Sequence, residues 1–135
     1  MTELYHRSHS VGQNAFHFVW KPKYASSFLR FEEINKVCQG ALRLVAFQQK
    51  CKIYELQVMP DHIHLFVELP PTLCVSKALQ LFKGISSIIL RRRFSFLTKI
   101  PMIWSKGKFF RSVGNVSFDT IQRYIRESQG EWAFS

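Results

Sequence analysis

Apolar and polar positions alternate with period two over residues 13–20, where Phe16, Phe18 and Trp20 share one face and Ala15, His17 and Val19 the other. That pattern predicts a strand, ended by Lys21-Pro22-Lys23. Over residues 31–50 the period becomes helical. Ile34, Val37, Cys38, Ala41, Leu42 and Val45 form an apolar stripe, and Glu32 and Glu33 suit the N-terminal turn. Alternation returns over residues 52–59, with Tyr54, Leu56 and Val58 set against Glu55 and Gln57. Pro60-Asp61 predicts a tight turn into a third strand, so the two strands form a hairpin. In that third strand Ile63, Leu65, Val67 and Leu69 line an apolar face, and His62, His64, Phe66 and Glu68 line the opposite one. Pro70-Pro71 stops it. A long helix is expected over residues 74–94, buried through Val75, Ala78, Phe82, Ile85 and Ile89, with Arg91, Arg92 and Arg93 at its C-terminal end. A short fourth strand over 106–113, a Gly114-Asn115 turn and a helix capped by Ser117 and running to about Trp132 complete the chain.

The order β-α-β-β-α-β plus a final helix predicts an α+β fold of the ferredoxin-like, RRM-like split βαβ type. Its sheet is antiparallel, its helices cover one face, and its C-terminal helix carries Tyr124. The length of 135 residues corresponds to one domain, 1–135. Three cysteines without CxxC spacing, Cys38, Cys51 and Cys74, read as small core residues in a reducing compartment. The chain shows no apolar leader and no segment of transmembrane length, so a cytoplasmic protein with no membrane partner is expected.

Charge changes the picture more. The chain holds 19 Lys and Arg against 9 Asp and Glu, a net charge of +10. Residues 70–118 contain Lys77, Lys83, Arg91, Arg92, Arg93, Lys99, Lys106, Lys108 and Arg111, with no acid among them. A one-sign stretch of that length fits a polyanion, and nucleic acid is the expected partner. In Trp104-Ser105-Lys106-Gly107-Lys108-Phe109-Phe110-Arg111 cations alternate with aromatics, as a single-stranded nucleic-acid site requires. An edge strand with core aromatics and solvated lysines would look the same. Lys83, Arg91, Arg92, Arg93, Lys106, Lys108 and Arg111 are the candidate contacts.

His62 and His64 are the candidate chemistry. On one strand face two imidazoles lie about 7 Å apart at Cα, which makes most of a divalent metal site. Hydrogen-bonded structural histidines are the plainer alternative. A histidine-triad hydrolase would want a third histidine where Phe66 stands, and structural zinc would want four closed ligands. Two imidazoles with oxygen ligands and open positions suit Mg²⁺ or Mn²⁺ acting on phosphate. Tyr124 reads either as a core tyrosine or as a covalent nucleophile, with Arg123 and Arg126 near it in sequence.

These motifs converge on a family. The strings FHFVWKPKY, VMPDHIHLFVELPP, SKALQLFKGISSIILRR and GNVSFDTIQRYI resemble the single-tyrosine transposases of the HUH superfamily, carried by insertion sequences of the IS200 type. The resemblance spans about residues 10–129, with the motifs in the expected order. It implies that His62 and His64 bind Mg²⁺ or Mn²⁺. It also implies that Tyr124 attacks one DNA strand to leave a 5′-phosphotyrosine and a free 3′-OH, and that rejoining proceeds by transesterification. The implied partners are single-stranded DNA with hairpins at the element ends and a second copy of the chain, as a homodimer. One position departs from the pattern. The family usually places a glutamine, its third metal ligand, four residues after the tyrosine. Here that residue is Ser128, and Gln129 follows at the fifth place. One residue turns a helical side chain by about 100°, so Gln129, Ser128 and Glu127 are all candidates. An inactive or purely nucleic-acid-binding copy of the same fold is the competing expectation.

Overall fold

Among the described residues, four strands and two long helices follow in the expected order. They are β1 (Ala15–Pro22), α1 (Glu32–Gln48), β2 (Lys52–Val58), β3 (Ile63–Glu68), α2 (Val75–Arg93) and β4 (Trp104–Val113). The structure, a computed structural model, describes residues 14–113, Arg123 and residues 125–127. Arg123 and residues 125–127 are helical. The expected Gly114-Asn115 turn, the Ser117 cap, and Tyr124, Ser128 and Gln129 lie outside the described residues.

The sheet has the order β2-β3-β1-β4. Each neighbouring pair is antiparallel. β1 is thus inserted between β3 and β4, which is the split βαβ arrangement read from the sequence. β1 and β3 lie at the centre and are buried along most of their length. Asn14 ties their ends together, its side-chain amide donating to the Leu69 and Pro70 carbonyls at 2.9 and 3.3 Å. Both helices pack on one sheet face, where Ile34, Cys38, Leu42 and Val45 of α1 and Ala78, Phe82 and Leu90 of α2 meet Phe18, Trp20, Ile63, Leu65 and Val67. The other face carries Ala15 and Phe66 in a smaller cluster with Val113 and Ile125.

Three local expectations are corrected. Tyr54 does not share a face with Leu56 and Val58. The β2–β3 register shifts between Ile53 and Glu55, and this bulge lets Ile53, Leu56 and Val58 join the helix-side core. Tyr54 instead packs on Phe66 with ring centroids 5.0 Å apart. The buried ridge of α2 runs through Ala78, Leu79, Phe82, Ser86 and Leu90 rather than Ile85 and Ile89. Ser86 tolerates burial because its hydroxyl accepts from Trp104 Nε1 at 3.0 Å and donates to the Lys83 carbonyl at 3.1 Å. Cys38 is a core residue, but Cys74 is exposed at the N-cap of α2.

Candidate functional site

The turn after β2 is closed by Met59 N–H donating to the His62 carbonyl at 2.8 Å. His62 therefore stands at the end of the turn, one residue ahead of β3, and His64 is the second residue of the strand. Period-two geometry sends both side chains to the face opposite the helices. There the two Nε2 atoms are 3.0 Å apart, and both histidines are 1% exposed. Adjacent positions on an octahedral ion with donors at about 2.1 Å are themselves about 3 Å apart. The pair thus fits two neighbouring ligand positions of one divalent cation.

Each ring is oriented through its other nitrogen. His62 Nδ1 lies 2.7 Å from the Asp61 carboxylate, and His64 Nδ1 lies 3.0 Å from His17 Nε2. Such outer partners commonly orient metal-binding histidines. From sequence Asp61 is only a turn residue, and His17 only a strand residue on the face opposite Phe16, Phe18 and Trp20. Strand order brings His17 here. β1 pairs with β3 so that His17 faces Phe66, one step diagonally from His64. The His17 and His64 rings stack with centroids 5.2 Å apart.

Burial, and then its His64 and Arg111 neighbours, lower the His17 pKa to about 3. Burial, and then His62, lower that of His64 to about 4. Both imidazoles are therefore neutral well below neutrality, as ligation requires. The same shifts set a stability trend. Between pH 6.5 and 4 an unfolded imidazole takes up a proton that the folded one refuses, so stability falls as pH falls. For metal-free protein, lowering pH from 7 to 5 is expected to cost about 2 kcal/mol through His17 and, with screening, somewhat less through His64. Urea unfolding midpoints at the two pH values measure this. Equal midpoints would show that the folded site accepts protons freely.

Glu68 shares the histidine face but lies four residues beyond His64, about 13 Å along the strand. Its carboxylate accepts the Tyr54 hydroxyl. Among the described residues no three His, Cys, Asp or Glu side chains are grouped to hold an ion, and Glu127 is exposed. The structure thus does not bring Glu127 to the pair, and Ser128, Gln129 and Tyr124 lie outside the described residues. Ile125, next after Tyr124 in sequence, is buried against Ala15, Phe66 and Val113 on the histidine-bearing face. Arg126 Nε donates to Glu55 Oε2 at 3.2 Å.

The basic candidates separate into groups. Lys83, Arg91 and Lys106 line one groove of about 480 Å³ with Ser87, Met102 and Trp104. Lys83 Nζ donates to the Ser105 carbonyl and Arg91 Nη2 to the Pro101 carbonyl, both at 2.8 Å, so α2 is tied to the start of β4 and to the segment before it. Arg93 lines a different groove, between α1 and α2, and Arg92 is exposed. Three consecutive arginines on a helix fan out by about 100° each, so Arg91, Arg92 and Arg93 point in different directions. Arg111 pairs with His17 across β1 and β4 and therefore shares the histidine face. Lys108 pairs with Trp20 in the backbone register.

Residues 10–128 match the family described as IS200-like transposases. The chain belongs to that family. It is 28% identical over 127 residues to the transposase for insertion sequence element IS200 of Salmonella typhimurium, covering 92% of this chain and 82% of that one. It is likewise 28% identical over 125 residues to the ISDra2 transposase TnpA of Deinococcus radiodurans, covering 88% and 86%. A crystallised Deinococcus radiodurans transposase superimposes with a TM-score of 0.69 at 27% identity, covering 88% of this chain and 92% of that one. A REP-associated tyrosine transposase bound to a REP hairpin shares the fold, with a TM-score of 0.59 at 16% identity over 93% and 73% of the two chains. In this transposase, among the described residues, no helix is long and apolar enough to cross a membrane.

Proposed function

We propose that this transposase cleaves and rejoins single-stranded DNA through a covalent phosphotyrosine, with Tyr124 as nucleophile and His62 and His64 as ligands of Mg²⁺ or Mn²⁺. The observation that carries the reading is the buried, convergent Nε2 pair at 3.0 Å, each ring braced from behind. A cation held there supplies charge neutralisation at a phosphate and polarises its oxygens. Tyr124 Oη gives up its proton to solvent and forms the bond to phosphorus as the bond to the 3′ oxygen breaks, and that oxygen takes up a proton to leave as a 3′-OH. Reversal with a different 3′-OH rejoins the strands, with the number of phosphodiester bonds conserved. The seating of Ile125 on the histidine face supports Tyr124 as the attacking group, and Arg111 on that face favours a phosphate there. Gln129 or Ser128 supplies a further ligand, and a homodimer is the working assembly. The partner is single-stranded DNA bearing a hairpin, and the REP transposase complex supports that choice by its fold.

The test is a denaturing gel of protein with hairpin-bearing single-stranded DNA, with and without Mn²⁺. A metal-dependent covalent band is expected. Tight binding without an adduct in any metal would overturn the catalytic reading and leave a binding module.

The Lys83, Arg91 and Lys106 groove is the proposed backbone contact. Lys106 is exposed and Arg93 lines a separate groove. Lys106→Glu is therefore expected to weaken hairpin binding and reduce the salt slope by roughly 1, the release from about one phosphate. Arg93→Glu is expected to change the slope less. Slopes from filter binding between 50 and 200 mM salt decide it, and the reverse ranking would move the DNA to the helix-helix groove.

A further inference from the structure

Four side chains from two distant strands form one hydrogen-bonded line. Asp61 Oδ1 meets His62 Nδ1 at 2.7 Å, His62 Nε2 meets His64 Nε2 at 3.0 Å, and His64 Nδ1 meets His17 Nε2 at 3.0 Å. With neutral rings the carboxylate sets the order of donors and acceptors along this line. Asp61 accepts only, so His62 carries its proton on Nδ1 and offers Nε2 as an acceptor. The proton between the facing Nε2 atoms then belongs to His64, whose Nδ1 accepts from His17 Nε2–H. A cation on both Nε2 atoms needs both of them unprotonated. His64 must then carry its proton on Nδ1, and His17 Nε2 must accept it.

We propose that His17 is a positioning residue whose imidazole switches from donor to acceptor toward His64, so that the His62–His64 pair changes from a closed hydrogen bond to an open cation site without gaining or losing a proton. The proposal rests on the reading of His62 and His64 as cation ligands. An imidazole suits the post because it can donate in one tautomer and accept in the other at the same atom. A purely donating or purely accepting side chain would stabilise only one of the two settings. The position is held firmly. His17 is fully buried, and its ring meets Phe109 edge-on with centroids 6.4 Å apart as well as stacking on His64. The switch therefore needs no ring displacement: His64 exchanges its Nε2 proton for one on Nδ1, and His17 does the same, so the number of protons on the two rings is unchanged. His17 lies 47 residues before His64, and the insertion of β1 beside β3 brings them together.

The test uses the full chain at pH 8 with Mn²⁺ or Mg²⁺ alone, without DNA. Mn²⁺ binding is read by electron paramagnetic resonance of the free ion. Ring tautomers are read from long-range ¹H–¹⁵N correlations with and without Mg²⁺. Wild type is expected to show His64 protonated on Nε2 without metal and on Nδ1 with it. His17→Phe keeps a buried ring but neither donates nor accepts, and is expected to bind Mn²⁺ about 10- to 100-fold more weakly. His17→Gln presents an amide at similar reach that can donate or accept after a flip, and is expected to recover most of that affinity. Circular dichroism of both variants separates folding from binding, and the Gln variant and the wild-type tautomers carry the test if the Phe variant does not fold. Wild-type affinity in His17→Phe, or His64 already protonated on Nδ1 without metal, would overturn the switch while leaving the cation site standing. No Mn²⁺ binding by wild type would overturn both.

Discussion

Tyr124→Phe is expected to abolish the covalent protein–DNA adduct while leaving hairpin binding within about twofold. The substitution removes one oxygen and keeps the ring, so whatever packing Tyr124 contributes is largely retained. If that oxygen forms the bond to phosphorus, its loss removes a reacting atom. Replacing a nucleophile then lowers turnover by about 10⁴-fold or more. A purely structural tyrosine predicts the opposite, a small loss of stability and an adduct of undiminished yield. The measurement is adduct yield on a denaturing gel under single-turnover conditions, with binding to the same hairpin measured in parallel. Retention of an adduct would move the nucleophile elsewhere in the chain. Loss of binding together with the adduct would show that the hydroxyl holds the fold or the DNA.

What could be read from the pattern of residues was the arrangement of elements, because period and turn chemistry are local. The apolar stripe of α1 meets the sheet almost as expected, through Ile34, Cys38, Ala41, Leu42 and Val45. The two places where side-chain orientation was misread both depend on partners. At Tyr54 the alternation breaks by one residue, and Ile53, Leu56 and Val58 already carry the 3-then-2 spacing of a bulged strand. In α2 a buried serine looks unfavourable until Trp104, 18 residues further on, supplies its hydrogen-bond partner. Propensity and periodicity describe a segment by itself, and these contacts belong to the sheet and helix it meets.

The site divides the same way. His62 and His64 are two residues apart, so strand geometry alone puts them side by side. His17 belongs to the same constellation but needs the strand order, which no single segment contains. Its one local signal is a histidine on the face opposite Phe16 and Phe18, a weak hint until β1 is known to lie against β3. The basic run divides for a related reason. Arg91, Arg92 and Arg93 are adjacent in sequence, whereas the helix turns them apart, and the fold places Arg91 in one groove with Lys83 and Lys106 and Arg93 in another. Glu68 shows the limit of shared-face reasoning, since four residues along a strand is too far to complete a site and Tyr54 occupies its carboxylate.

His64→Ala is expected to lower strand cleavage by about 10³-fold or more and to leave hairpin binding close to that of the unaltered transposase. His64 stands in the middle of the line, with one nitrogen toward His62 and the other toward His17. Its loss halves the protein nitrogens aimed at the cation position and removes the partner of His17 at once. Electrostatic stabilisation of a reacting phosphate is commonly worth several kcal/mol, and each 1.36 kcal/mol is tenfold in rate. The groove formed by Lys83, Arg91 and Lys106 is built by α2, the start of β4 and the segment before it, with no contribution from His64, so hairpin affinity need not follow. The comparison that decides the matter is His64→Ala against His62→Ala, each titrated with Mn²⁺ from micromolar to tens of millimolar. If both variants regain cleavage only at high Mn²⁺, the lesion is weakened cation binding. If cleavage persists at low Mn²⁺ in either variant, that histidine does not hold the cation. Loss of hairpin binding in parallel would instead place the DNA itself against the histidine face, and the groove beside α2 would lose its assigned role.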